Sequence, residues 1–270
     1  MPGRSDLSQC RPGPDLYCSS ATKPWPRYDL LIWLDGNGNS SYEGMIAKYH
    51  HRAAWSLTLG AEYTFAKAIS NSWQSNTAPL GQISDCRRCD KGPATFDIRQ
   101  RFVATAVWEV PFARRRTYGG WTLTGIITFS TGQPVLLTAP TGAAGIYLTQ
   151  LPNRVCDGRN TARSGSLRHN GFVWFDAQCF PLAPQGYFGT SGRTVISGPG
   201  VNNWDLGLEK PLPLPRDSPV NALLRAEAFN AWNHTQFGPP NGDAGAGVNF
   251  GRISSTRPPR LMQIGVKLLW

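Results

Sequence analysis

Apolar and polar residues alternate along several segments of the chain. In residues 55–65 every second residue is apolar, and the residues between them are polar or small. The same alternation recurs in residues 101–110, 121–130, 203–209, 222–229 and 262–270, and a weaker copy spans 42–50. Because successive side chains of a β-strand point to opposite faces, this period predicts seven strands with one apolar and one polar face each. The predicted fold class is all-β and antiparallel.

Strand and loop lengths distinguish a membrane barrel from a soluble β-sandwich, since both alternate in this way. The clearest patterns cover about nine to eleven residues, the length of a membrane strand, whereas soluble strands average about 5–6. Short connections alternate with long ones over 69–97, 135–200 and 234–258. Outer-membrane barrels alternate short periplasmic turns with long outer loops. We therefore predict a transmembrane β-barrel segment over 42–270, with 1–41 as the remnant of an outer loop.

Charged residues fall on the polar face of the predicted strands. An Arg or Lys that faced lipid at mid-bilayer would cost roughly 2–4 kcal/mol, so these residues are expected to face the barrel lumen. A turn near Pro215 would bring Asp205 next to Arg225, and we expect an ion pair there. The candidate lumen-lining residues are Arg99, Arg101, Glu109, Asp205, Glu209, Arg225, Glu227 and Lys267.

The composition agrees with a barrel and excludes a helical bundle. Charged residues make up 16% of the chain, against about 25% in soluble domains, and Gly and Pro are abundant with 29 and 22 residues. The longest apolar run, residues 30–34, is far shorter than the roughly 20 residues of a membrane helix. The chain opens on Met1 without a signal peptide, and we interpret this start as a truncation rather than as a cytosolic address.

A set of short motifs resembles the Oar-like TonB-dependent outer-membrane receptors, the carboxypeptidase-regulatory-like-domain-containing family. The segment FDIRQRFV at 96–103 resembles a barrel strand of these receptors. The other motifs follow in the same order at 119–126, 130–134, 174–180, 198–205, 225–234, 250–253 and 263–267. The resemblance spans roughly residues 28–270 and identifies the chain as the C-terminal barrel segment of such a receptor in the cell outer membrane.

The resemblance implies an N-terminal domain, a TonB box, a plug and about 22 strands, which these 270 residues do not contain. An open sheet of seven strands would leave unpaired edges in lipid, which a membrane does not tolerate. We therefore expect an incomplete barrel that is non-functional alone. The implied partners are the barrel-assembly machinery, TonB through the missing N-terminal part, and an unknown ligand. Ile264, Val266, Leu268 and Trp270 form a candidate barrel-assembly signal.

Six cysteines lie in predicted outer segments, two in each. An even number within oxidised outer loops favours disulfides. Zinc at the Cys86-x-x-Cys89 spacing and free thiols remain alternatives. The disulfide candidates are Cys10 with Cys18, Cys86 with Cys89, and Cys156 with Cys179.

Other motifs give little support for catalysis or nucleic-acid binding. No G-x-S-x-G or H-E-x-x-H occurs, so we predict no enzyme activity, cofactor or metal. The glycine-rich stretch 242–251 lacks a following Lys-Ser/Thr and is expected to be a flexible outer loop. The net charge of +10 is scattered, which favours contact of arginines with outer-membrane lipid and lipopolysaccharide phosphates over nucleic acid.

Three functions remain open at this stage. The first is a TonB-dependent receptor or transporter for an unknown ligand, in which the long loops make the first contacts. The second is an outer-membrane adhesion or display barrel without transport. The third is a secreted soluble β-sandwich that binds carbohydrate.

Overall fold

The fold is seen in a computed structural model that describes residues 38–71, 87–111, 119–140, 150–159, 167, 169–184, 187–212, 214 and 221–270. Within these residues, seven long strands and one short strand form an antiparallel sheet in the order β1-β2-β4-β5-β8-β9-β10, with β3 on β2. The long strands are β1 Ser40–Ala53, β2 Leu57–Ser70, β4 Gln100–Glu109, β5 Thr122–Ser130, β8 Val201–Leu212, β9 Asn221–Phe229 and β10 Leu261–Leu269. The short ones are β3 Gly92–Pro93, and β6 Pro134–Val135 with β7 Ile196–Ser197 as a separate pair.

The register of the sheet joins the apolar stripes of all seven long strands into one face. Tyr63 of β2 lies opposite Phe102 of β4, which in turn lies opposite Phe129 of β5. Residues directly opposite each other share a face, so the stripes stay aligned from β1 to β10. A slip by one residue would exchange the two faces of a strand. The seven predicted strands and their alternation are confirmed, although the polar face also carries Val103 and Val107.

The first hairpin differs from its prediction. The stripe over 55–65 and the weaker copy over 42–50 predict a turn near His51, with Trp55 as the first apolar residue of the next strand. Instead, Ala53 pairs with Leu57, and the three-residue turn is centred on Trp55. His50 and His51 therefore lie within β1. A histidine side chain fits a strand as well as a turn. Trp55 and Ser56 have positive φ values of 72° and 57°, which close the turn.

Aromatic side chains border the apolar face at both ends. At the long-loop end, the ring centroid of Phe129 lies 6.4 Å from that of Phe102 and 6.2 Å from that of Trp204. At the short-turn end, Trp121 precedes β5 and Trp270 follows β10. Trp121 and Phe129 are eight residues apart, about 26 Å along a strand. At a tilt of about 40° this gives roughly 20 Å of height, close to the apolar band of a membrane barrel.

The sheet is open within the described residues, with β1 and β10 as its edges. Ile264 of β10 is 80% exposed, and every residue of that strand is exposed. Unpaired backbone N–H and C=O groups in lipid cost several kcal/mol each. The predicted incomplete barrel is therefore confirmed. In the part of the chain described here, no helix combines the length and the apolarity needed to span a membrane.

The long loops pack into a second layer with its own core at one end of the sheet. Phe175 is fully buried and makes edge-to-face contacts with Phe180 and Phe250, at centroid distances of 5.7 Å and 5.1 Å. Val135, Leu137, Cys179 and Ile196 complete this core. We call this unit the loop layer; it spans the described residues of 131–200 and 230–260.

The glycine-rich stretch 242–251 belongs to the loop layer, so the expectation of a flexible loop is wrong. It contains a 3₁₀ helix over Ala244–Asn249, and Ala244 packs against the core. A Cβ on Gly242 would lie 2.0 Å from the carbonyl oxygen of Leu136, so the absence of a side chain allows this close packing.

The loop layer lies on the polar face of the sheet. At the long-loop end of β2, Ala66 and Ala68 on the polar face are 4% and 5% exposed. Phe65 on the apolar face of the same strand is 44% exposed. The loops therefore cover one end of the polar face and leave the apolar face bare, as contact with lipid requires.

A buried arginine links the loop layer to the sheet. The Arg193 guanidinium donates through Nη2 to the carbonyl oxygen of Ser70 at 2.9 Å, and the Thr194 hydroxyl donates to the carbonyl oxygen of Pro93 at 2.8 Å. Burial lowers the pKa of Arg193, and the nearby Asp90 carboxylate offsets only part of this effect. These contacts hold the loop layer against β2 and β3.

Asp97, from the FDIRQRFV motif, anchors the entry into β4. Its carboxylate is buried and accepts a hydrogen bond from the backbone N–H of Ala68 at 2.7 Å. Its own N–H donates to the carbonyl oxygen of Ala94 at 2.9 Å. Asp97 therefore provides the acceptor for a backbone N–H of β2 just before β4 begins.

Paired cysteines test the register between β8 and β9. Leu208 lies opposite Ala226, whereas a hairpin centred on Pro215 would place it opposite Ala222. Opposite Cα atoms lie about 4.5–5.5 Å apart, within disulfide range, and four residues along the strand add about 13 Å. Leu208→Cys with Ala226→Cys should form a disulfide that mass spectrometry detects, and Leu208→Cys with Ala222→Cys should not. The reverse result would contradict the register.

Replacement of Asp97 tests its anchoring role. Asp97→Ala leaves the buried Ala68 N–H without its acceptor, and we expect a loss of about 1–3 kcal/mol in stability. Thermal unfolding of the detergent-solubilised protein measures this loss. Asp157→Ala is the matched control, because its ion pair with Arg154 is exposed and should contribute less than about 1 kcal/mol. Equal effects of the two substitutions would contradict the assigned role.

Candidate functional site: the polar face and its pocket

All eight candidate lumen-lining residues lie on the polar face or at its edge. Seven belong to strands: Arg101, Glu109, Asp205, Glu209, Arg225, Glu227 and Lys267. Arg99 precedes β4 by one residue, and its Nη2 lies 3.8 Å from the Asp97 carboxylate. That this face lines a lumen remains a prediction.

One group of these charges is paired across the sheet. Arg225 of β9 binds Glu209 of β8 through Nε at 3.1 Å and Glu227 through Nη2 at 2.6 Å. The side-chain amide of Gln263 on β10 donates to the other oxygen of Glu227. This network of two ion pairs and one hydrogen bond crosses three strands, so its members largely satisfy one another.

The predicted ion pair between Asp205 and Arg225 is wrong. It assumed a hairpin centred on residue 215, but Leu206 pairs with Ala228, which puts the centre at residue 217. With this centre, the residue opposite each β8 residue lies four positions further along β9 than predicted. Four is an even number, so Asp205 and Arg225 both remain on the polar face. Arg225 meets Glu209 instead of Asp205.

Asp205 takes part in the turn that ends β9. Its Oδ1 accepts a hydrogen bond from the backbone N–H of Asn230 at 2.9 Å. Asn230 has a positive φ of 49°, and its side chain both donates to the His234 carbonyl and accepts from the His234 N–H, each at 3.0 Å. Asn230 and His234, which belong to one of the family-like motifs, therefore stabilise the turn at the long-loop end of β9.

Gln236 attaches the following loop to β8. Its Oε1 accepts from the backbone N–H of Asn202 at 3.0 Å, and its Nε2 donates to the Asn202 carbonyl. The Gln236 carbonyl in turn accepts from the backbone N–H of Arg257 at 2.8 Å. Two separate parts of the loop are thus fixed relative to the strand.

A pocket of about 380 Å³ lies between this loop and the polar face. Its floor comes from the ends of β5, β8, β9 and β10, and its wall comes from the loop. The volume is at the lower end of the range for small-molecule sites, roughly 300–1,000 Å³. The lining residues are Thr128, Val201, Asn203, Asp205, Phe229, Asn230, Gln236, Arg257, Pro258, Pro259 and Leu261.

Sequence reasoning identified Asp205 and missed the other polar residues of this pocket. Thr128 and Asn203 are opposite each other on the polar face, and their position in the alternation was a usable signal. Arg257 and Gln236 come from a loop without periodicity, so their approach to the strands depends on the loop fold. Asp205 and Arg257 give the pocket one acidic and one basic side chain.

Two cysteines of the six candidates form a disulfide within the loop layer. Cys156 and Cys179 are bonded, with their Cα atoms 4.9 Å apart. Cys89 is also disulfide-bonded, so it offers no thiolate to the zinc ion considered above. Cys10, Cys18 and Cys86 lie outside the described residues.

The candidate barrel-assembly signal lies at the exposed end of the sheet. Ile264, Val266 and Leu268 share the apolar face of β10, and Trp270 directly follows this strand. All four side chains are exposed. Their role in assembly remains a prediction.

The comparison with protein families agrees with this architecture. The family model described as "Outer membrane beta barrel domain" matches residues 1–263. No curated protein and no solved structure shows a significant match to the chain. The bare apolar face, the aromatic borders and the open sheet are the features expected of part of such a barrel in the outer membrane. The chain belongs to the outer membrane beta barrel domain family.

Proposed function

We propose that the chain is the C-terminal barrel part of a TonB-dependent outer-membrane receptor that takes up a ligand. The observation that carries the proposal is the position of the loop layer. It folds over the polar face and leaves a pocket beside the strands, rather than extending away from the sheet. In a closed barrel, a layer in this position narrows the mouth and offers a first contact to an entering ligand.

Two further features support uptake over display. Glu209, Arg225 and Glu227 form a charged group on the polar face below the pocket, which suits the polar interior of a closed barrel. The ordered family-like motifs include turn and core residues of the loop layer, such as Phe175 and Asn230. These motifs thus favour a receptor-type arrangement of loops and strands.

The proposed partners follow from the topology. With the long loops outside, the short turns face the periplasm, and TonB would act through a plug contributed by a preceding part of the receptor. Arginines of the loop layer, including Arg154 and Arg159, would contact lipopolysaccharide phosphates. The β10 strand would be recognised by the barrel-assembly machinery during insertion. We propose no catalytic step.

Cross-linking in living cells tests coupling to TonB. We expect the native receptor, isolated from outer membranes after cross-linking, to carry TonB, and the cross-link to disappear in a strain that lacks TonB. Immunoblotting for TonB reads this out. The Asp157→Ala variant is a control that should assemble and cross-link normally, because Asp157 lies in an exposed loop pair.

An assembled receptor that never cross-links to TonB would contradict the transport proposal and favour an adhesion or display barrel. Heat-modifiable migration in gels separates this result from failed assembly, because it reports whether the barrel is folded. A protein that fractionates without detergent would contradict both membrane functions.

A further inference from the structure

The pocket beside β8 brings several side chains with unused hydrogen-bonding capacity together in one concave site. Elsewhere on the polar face, Arg225 is paired with both Glu209 and Glu227. By contrast, the side chains of Asn203 and Arg257 have no hydrogen-bond or ion-pair partner among the described residues.

Asp205 and Thr128 add to this capacity. Asp205 uses Oδ1 for the Asn230 N–H, which fixes the carboxylate, and its Oδ2 has no partner among the described residues. Thr128 adds a hydroxyl group from the neighbouring strand. The pocket therefore presents donors and acceptors side by side on fixed backbone, with one acidic and one basic group.

Apolar surface forms the other side of the pocket. Phe229, Pro258, Pro259 and Leu261 line it next to the polar groups. A ligand that fits must combine a face of C–H groups with several hydroxyls that both donate and accept hydrogen bonds. A net charge on the ligand would add little to its affinity, because the side chains of Asp205 and Arg257 have opposite charges.

We propose that this pocket binds a neutral saccharide unit. Asn203 and Asp205 would bind adjacent hydroxyls, Arg257 would donate to a ring or hydroxyl oxygen, and Phe229 with the two prolines would contact the C–H face of the sugar. The volume of about 380 Å³ suits one sugar ring or the end of a short oligosaccharide. The inference rests on the proposed function and names the ligand class of that receptor.

The test uses the full receptor, purified from outer membranes in detergent, on an array of neutral mono- and oligosaccharides. A saccharide that binds is then titrated by calorimetry. We expect Asn203→Ala and Arg257→Ala each to weaken its binding at least tenfold. Arg260→Ala is the matched control, because this nearby arginine does not line the pocket. The affinity of this variant for the saccharide should stay within twofold of that of the parent protein.

Heat-modifiable migration must be unchanged in all variants, so that lost binding is not lost folding. If an alanine variant fails this check, Asn203→Asp and Arg257→Lys replace it, and the same loss is expected from their altered hydrogen bonding. Absence of saccharide binding, or binding that these substitutions do not weaken, would overturn the inference. TonB cross-linking together with no saccharide binding would overturn the inference alone, and saccharide binding without TonB cross-linking would overturn the transport function alone.

Discussion

The whole structure depends on one constraint: the antiparallel register aligns the apolar stripes of seven strands on a single face. Each stripe alone is compatible with a soluble sheet. Once Tyr63, Phe102 and Phe129 lie side by side and the stripes continue to β10, the apolar face becomes too wide to be left in water. The loops of the described chain leave it largely uncovered, since they pack mainly on the opposite face. Trp232 contacts it at one end, edge-to-face against Trp204. Lipid is the environment that satisfies this face.

The same constraint explains where the polar chemistry lies. Charges are unfavourable at mid-bilayer, so Arg225 joins Glu209 and Glu227 on the other side. Lys210 does fall on the apolar face, but it lies at the short-turn end, over the Trp121 ring. The loop layer closes over one end of this side and is fixed there by hydrogen bonds to the backbone, such as those of Arg193 and Gln236. Between the two layers remains the pocket, and its open hydrogen-bonding groups distinguish it from the paired charges below.

The sequence predicted strands well because their period is a local property. Alternation located all seven long strands, and the loop lengths identified the membrane class. Pairing across a hairpin depends on where the chain turns, which alternation does not report. The β8–β9 centre was therefore misplaced by two residues, and Asp205 was assigned the wrong partner. The first turn was misplaced for the same reason, because His50 and His51 resemble turn residues only in polarity.

Loop structure was less predictable, since it depends on contacts between distant segments. Nothing in the glycine-rich stretch 242–251 indicates that it packs beside Leu136, and nothing near Arg257 indicates that it approaches β8. The family-like motifs include residues of this loop structure. Phe175 proves to be a core residue and Asn230 a turn residue, so these motifs record how the loops fold onto the barrel.

The most direct test of the account asks which face of the sheet meets lipid. Nitroxide labels are placed on β5 of the membrane-inserted receptor, one at a time, at Leu123→Cys, Thr124→Cys, Ile127→Cys and Thr128→Cys. Collision with oxygen reports lipid exposure, and collision with a water-soluble nickel complex reports aqueous exposure. The account predicts that labels at positions 123 and 127 collide mainly with oxygen, and that labels at 124 and 128 collide mainly with nickel. Equal aqueous exposure of all four, or the reversed pattern, would contradict the assignment of the apolar face to lipid.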